Sequence, residues 1–496
     1  MDDHTSPKYP AYAYAQGRQD SGHQDGAHQD GGEQVATAVE AAVGRTSGRG
    51  ALGPIQPDAR ILIVTWGHQD PELLQFIKAA MTRSGAAQVD SVRWSEMGLP
   101  DGRYSAADGW RELSEERIST VIREGERVEQ RALKSYLEQH PGYTTVYAGD
   151  AGEGHYRISI GAAFKANWMY HTYEELAARY PTIPGALQDL IEQKMLEQFG
   201  RAAQVRITDP EGSDIGWDVT DEEAELWARG ARIPWHMIGS TIEGVRFALV
   251  RPAFGGKIAG SLEGFTRHAA RSYPTINGVV AGTVNHSGFM PHIRVTVEEG
   301  RISRVEGGGE YGDRLRAVIE RFKDVQYPGY PKPGYHFLND ATIGSNVKCF
   351  RNAETLWSTG IPWTGLGAER YRAGVIHFGF GAEHEDPRFV EFGRSNAVPV
   401  KHMPHVHAYF PTYRIKDRVT GDWFDVVRDG WLTVLDDPDV RALAASLGHA
   451  EDLLSYDWVP AIPGINYPGD YQRDYASDPV AWIKRDIAGE FATPVS

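Results

Sequence analysis

The stretch Ile293-Arg294-Val295-Thr296-Val297-Glu298-Glu299-Gly300-Arg301-Ile302-Ser303-Arg304-Val305-Glu306-Gly307-Gly308 decides the fold of the second half of this chain. Apolar and polar residues alternate on both sides of Glu298-Glu299-Gly300, and period-two alternation broken by a glycine turn marks an antiparallel hairpin with one buried face. Outward from it, residues 206–428 carry more short strands of this kind, such as Phe247-Ala248-Leu249-Val250-Arg251, separated by Gly, Asn, Asp and Pro clusters. This spacing predicts a β-rich, partly closed antiparallel domain over 206–430. Helices are expected at 312–322 and 440–454. The closing stretch from Trp458 is rich in Pro, Tyr, Asp and Gly, so 431–496 reads as a C-terminal helix and an extended wrap.

The first half has a different grammar. Ala59-Arg60-Ile61-Leu62-Ile63-Val64-Thr65-Trp66 is a continuous apolar run of the kind that fills a buried parallel strand. A helical pattern from Pro71 ends near Gly85, and a second strand follows at 88–94, so the chain opens as a βαβ unit and 57–205 reads as an α/β domain. Further helices are expected at 114–140 and 174–199, with a strand at 144–148 between them. Gly67 stands without a G-x-G-x-x-G pattern, which argues against a dinucleotide or ATP site. Residues 1–56 are rich in Gly, Gln, Asp, His and Ser and read as a disordered tail.

Of 496 residues, 51 are basic and 67 acidic, a net charge of −16, and no clustered Lys and Arg are found; nucleic acid is not an expected partner. No apolar run is long enough to span a bilayer, and the amino terminus is polar, so the expectation is a cytoplasmic protein without a membrane partner. The single Cys349 excludes a disulfide framework and paired-cysteine zinc sites; any metal must sit on His, Asp and Glu.

The 18 histidines are unevenly spread, with five of them, His377, His384, His402, His405 and His407, between Val375 and His407. In Pro404-His405-Val406-His407-Ala408, residues two apart on a strand project from the same face, so both imidazoles can reach one ion or two adjacent ions. Asp340, flanked by Asn339 and Ala341 on an otherwise apolar segment, and Glu263, in Leu262-Glu263-Gly264-Phe265, are candidate carboxylates. His377 lies in the least polar surroundings of any histidine, Val375-Ile376-His377-Phe378. Each has a bland alternative: a turn acid, a helix-capping acid or a satisfied core histidine.

In their order, these segments resemble the thermophilic-type metalloaminopeptidases, the family of aminopeptidase T and aminopeptidase S. Gly212-Ser213-Asp214, Glu263-Gly264-Phe265-Thr266, the 293–308 hairpin with its following helix, Asp340 with Ile343-Gly344-Ser345-Asn346, His377, and His405-x-His407 carry the likeness over residues 206–415. The resemblance implies an α/β domain joined to a β-rich metal domain, a homodimer, and a two-metal centre held by Glu263, Asp340, His377, His405 and His407. Asp340 stands where that family has Glu, and His407 where it has a bridging Asp.

The same segments also resemble the related 2,5-dihydroxypyridine 5,6-dioxygenase, a mononuclear iron enzyme. That resemblance implies Fe(II) on Asp340, His405 and His407, with His236 or His377 moving protons. The function expected is therefore a metal-dependent, aminopeptidase-like hydrolase using Zn, Co or Mn on a small molecule or short peptide, with Glu263, His377 and His236 at the reacting centre. The alternatives are an Fe(II) ring-cleaving dioxygenase acting on a hydroxylated aromatic or pyridine, and a non-catalytic scaffold that kept the fold.

Overall fold

The computed structural model describes residues 30–44, 52–67, 69–99, 107–123, 128–148, 163–166, 183–228, 247–250, 261–348, 372–384, 386–401, 403–456, 459–487 and 490. Near the amino terminus, β1 (Arg60–Thr65), β2 (Gln88–Arg93), β3 (Thr145–Ala148) and β4 (Ala163–Ala166) form a parallel sheet in the order β2-β1-β3-β4. Strand periodicity divides β1 between two small cores. Ile61 and Ile63 pack with Leu73 and Ile77 of the helix Pro71–Arg83, while Leu62 and Val64 pack with Val92, Leu133 and Val146. That helix starts where expected because the Asp70 carboxylate accepts from the N–H groups of Glu72 and Leu73 at 2.8 and 3.0 Å, with Pro71 in the first turn.

The leader expected to lack structure through residue 56 contributes a helix, Asp30–Gly44, to this layer. Val39, Ala42 and Val43 are buried against the β1 side of the first core, and Val35 packs beside them. Their spacing is helical, and the surrounding polar composition hid it.

From Ala202 onward the chain lays down β5 (Ala202–Thr208), β6 (Asp214–Asp218), β7 (Phe247–Val250), β8 (Asn277–Val284), β9 (Phe289–Glu298), β10 (Arg301–Gly307), β11 (Leu338–Gly344), β12 (Ile376–Phe380), β13 (His405–Ala408), β14 (Thr412–Asp417), β15 (Trp423–Arg428) and β16 (Trp431–Leu432). They form an eight-stranded antiparallel sheet, β10-β9-β8-β6-β5-β14-β15-β16, and a four-stranded antiparallel sheet, β13-β12-β11-β7. The opening hairpin is β9–β10, turning through Glu299 and Gly300 at φ 50° and 74°. Two left-handed residues match the twist of the flanking strands, and Gly300 lies so close to the Tyr273 ring that a side chain there would overlap it.

The two sheets meet where β8 crosses β13. A Cβ on Gly282 would stand 2.6 Å from His407 O and 2.9 Å from Val406 Cγ1, so only glycine lets the strands approach this closely. The packing does not divide at residue 205. Leu113, Ile118 and Val121, and Leu187, Ile191, Met195 and Phe199 of the helix Gly185–Phe199, belong to the same apolar cluster as the large sheet.

The helix expected over 440–454 is present as two short helices, and the stretch after it is less extended than its composition suggests. Helices occupy Pro438–Leu447, Ala450–Leu454 and Pro479–Ile487, and a π-turn at Gln472–Ala476 buries Tyr475. Among the described residues, no helix is long and apolar enough to cross a membrane.

Candidate metal centre

The small sheet builds most of the site through its register. Across β12, His377 lies opposite His407 of β13 on one side and Thr342 of β11 on the other; Gly379 lies opposite His405 and Asp340 in the same way. Directly paired residues of antiparallel strands point to one face. One face therefore carries two rows, His405-Gly379-Asp340 and His407-His377-Thr342. Gly379 places no side chain between the first imidazole and the carboxylate. The register of β11 shifts between Leu338 and Asp340, an extra residue that re-aims Asp340 within an entirely buried strand.

His405, His407, His377 and Asp340 are each no more than 4% exposed, and His377 Nε2 stands 3.8 Å from Asp340 Oδ1. The structure thus brings together four of the five residues expected as metal ligands. The fifth, Glu263, requires correction. It sits in the first turn of the helix Leu262–Ser272, whose inner face buries Leu262, Phe265 and His268, and its own side chain is 59% exposed. Arg388 grips it at 2.5 and 3.1 Å and also binds Asp386, and this guanidinium holds the Glu263 carboxyl down at about 2. It is a surface ion-pair partner, apart from the buried histidines. His236 and His402 lie outside the described residues. His384 packs on Phe265 and Phe389 and accepts the Asp386 N–H at Nδ1.

Two residues that the sequence reading did not single out complete the cluster. His286 comes from the turn between β8 and β9, and its ring centroid is 3.5 Å from that of His405 and 5.1 Å from those of His377 and His407. Glu112 comes from a 3-10 turn, Gly109–Leu113, far earlier in the chain. Its Oε1 stands 2.5 Å from His405 Nδ1 and 3.7 Å from His286 Nδ1, and its Oε2 accepts the backbone N–H of His405 at 3.0 Å.

These two turns are pinned to each other. Asn285 Oδ1 accepts from the N–H groups of Ser287 and Gly288, shaping the turn, while its Nδ2 donates to Gly109 O at 2.9 Å. Gly109 packs directly on the Phe289 carbonyl, where a Cβ does not fit. The signal for His286 was a turn-forming Asn-His-Ser-Gly after an apolar strand. Glu112, in Trp110-Arg111-Glu112-Leu113, has no local signal that separates it from the helix-starting acids just after it.

Donor atoms of Glu112, His286 and His405 lie within 4.8 Å of one another. Four imidazoles and the Asp340 carboxylate, all buried, with Glu112 beside them and without a thiolate, form a group whose chemistry suits Zn, Mn, Co or Fe(II). Burying carboxylates at this depth is costly unless positive charge balances them, and a divalent cation among neutral imidazoles supplies that balance. The residues present therefore fit a metal centre.

No protein-family model matches this chain. No curated protein matches it either. Among solved structures, 2,5-dihydroxypyridine dioxygenase from Pseudomonas putida KT2440 aligns at 14% identity over 81% of this chain and 97% of its own, with a TM-score of 0.44. AmpT from Thermus thermophilus aligns at 10% identity over 81% of this chain and 99% of its own, with a TM-score of 0.39. These are the two proteins that the sequence motifs resemble, and at these values neither carries an argument about the chemistry of this one.

Proposed function

We propose that this chain is a metal-dependent hydrolase that cleaves an amide or peptide bond in a small molecule or short peptide. The observation that supports it best is the size of the donor set. His286, His377, His405 and His407 converge with Asp340, two more imidazoles than a two-histidine, one-carboxylate site uses, and enough for two adjacent divalent ions. In such a centre the bound ions polarise the scissile carbonyl and lower the pKa of a bound water.

The chain's own residues do the rest. The face of β11, β12 and β13 fixes the spacing of Asp340, His377, His405 and His407 on rigid strands. Thr342 Oγ1, buried in the same row as His377 and without a hydrogen-bond partner among the described residues, is placed to hold a water or a substrate oxygen. The test is release of an amino acid from di- and tripeptides by the chain reconstituted with Zn, Mn or Co. No turnover with any of these metals on any of the peptides tells against a peptidase.

A second reading has one observation in its favour. Asp340, His405 and His407 all stand on one sheet and by themselves make a two-histidine, one-carboxylate set, the arrangement that leaves open positions on Fe(II) for substrate and dioxygen. Oxygen uptake with a hydroxylated pyridine or catechol by the iron-loaded chain supports this reading over hydrolysis.

A further inference from the structure

We propose that Glu112 is a positioning residue that fixes the tautomer and ring orientation of His405, and is not itself a metal ligand; the proposal rests on the metal-centre reading above. Both of its oxygens bind His405, Oε1 at Nδ1 (2.5 Å) and Oε2 at the backbone N–H (3.0 Å), and the Tyr311 hydroxyl lies 3.3 Å from Oε2. A separation of 2.5 Å is that of a hydrogen bond. Two donors at about 2.1 Å from a shared tetrahedral ion stand roughly 3.4 Å apart, so an ion does not fit between them here.

The carboxylate therefore holds a proton on Nδ1, which leaves the lone pair of the neutral ring on Nε2 and selects that atom for the metal. His286 Nδ1, at 3.7 Å from the same oxygen, is beyond hydrogen-bond reach, so of these two imidazoles Oε1 holds that of His405. Tyr311 completes it from the backbone side: its hydroxyl donates to His405 O at 2.8 Å and receives the His405 N–H at 3.0 Å. Side chain and main chain of one histidine are thus clamped by a turn almost 300 positions earlier and by the helix after the β9–β10 hairpin.

Glu112→Gln is the discriminating change, because a carboxylate accepts on both oxygens whereas an amide accepts on one and presents N–H to the other donor. The metal-free full chain, labelled with 15N-histidine, is examined by long-range 1H–15N correlation, with the His405 signal assigned by its loss in His405→Gln. Co(II) is then titrated in, with absorption and chelator competition as readouts. Wild type should show His405 protonated at Nδ1. Glu112→Gln should give mixed tautomers and a 10- to 100-fold weaker Co(II) affinity at unchanged saturating stoichiometry.

Loss of a whole Co(II) equivalent in Glu112→Gln makes Glu112 a ligand and overturns the proposal, as does a variant with wild-type tautomer and affinity. Should Glu112→Gln fail to fold, the wild-type spectrum decides alone: His405 protonated at Nε2 overturns the proposal. A wild-type chain that takes up no Co(II) refutes the metal centre instead, while the tautomer comparison still judges Glu112.

Discussion

His407 and Asp340 have no exposed surface, and His377 and His405 retain at most 3%. Buried groups of this kind gain most from an ion that they share, so single truncations should be felt first in metal retention. His407→Ala and Asp340→Ala are each expected to lose most bound metal after gel filtration against a weak chelator and to abolish turnover; retention at the wild-type level in both would remove these residues from the centre. Glu263→Gln is the matched control. Its carboxylate is held by Arg388 at the surface, so metal content and turnover should stay at wild-type levels. The two carboxylates look alike in sequence, each alone in an apolar setting. What separates them is which face of a helix or strand they occupy, and that depends on the partner element.

At the scale of elements, the crossing of β8 over β13 sets where the imidazoles sit. Gly282→Ala pushes a methyl group into His407 O and Val406 Cγ1, and overpacking of this sort costs about 1–3 kcal/mol. The expected result is a lower urea midpoint together with weaker metal binding, because the displaced strand carries both His405 and His407; a variant with the midpoint and affinity of wild type would show that β13 moves freely beneath β8.

Much of this layer was legible beforehand. The β9–β10 hairpin, the β1 run, the Asp70-Pro71 helix start and the strand placement of His405 and His407 follow from local periodicity and turn chemistry, which act over a few residues. The rest was not. The pairing of His377 with His407, and of Gly379 with Asp340, is a matter of register between distant strands, and Glu112 reaches His405 across 293 positions. A single sequence carries no local trace of such contacts. The helix Asp30–Gly44 was hidden differently, by a polar composition that masked a short apolar stripe.

Over the whole molecule, the C-terminal segment is tied to the large sheet through a buried acid. Glu211 Oε1 accepts from Tyr471 OH at 2.7 Å and from Thr283 Oγ1 at 2.9 Å, and Thr283 in turn meets Tyr475. Burial pushes the Glu211 carboxyl up, and the neighbouring Asp209, itself raised by burial, adds to the shift. A carboxyl raised on folding binds more protons in the native than in the unfolded chain. Its contribution is therefore complete below its ordinary value of 4.5 and is lost as pH rises through neutrality. The thermal transition is expected to fall between pH 5.5 and pH 8, and Glu211→Gln, which keeps an acceptor for Tyr471 without a charge, should flatten that fall. An identical slope in wild type and variant would place the titration elsewhere.

The claim on which the rest depends is that the buried histidines and Asp340 hold catalytic metal. Elemental analysis of the full chain purified anaerobically, paired with assays of peptide hydrolysis and oxygen uptake on the same sample, addresses it most directly. Two zinc, cobalt or manganese ions per chain, with release of an amino acid from a short peptide, are the expected result. One iron per chain with oxygen consumed on a hydroxylated aromatic substrate would contradict the hydrolase, and a chain that neither contains nor takes up a divalent ion would contradict the centre itself.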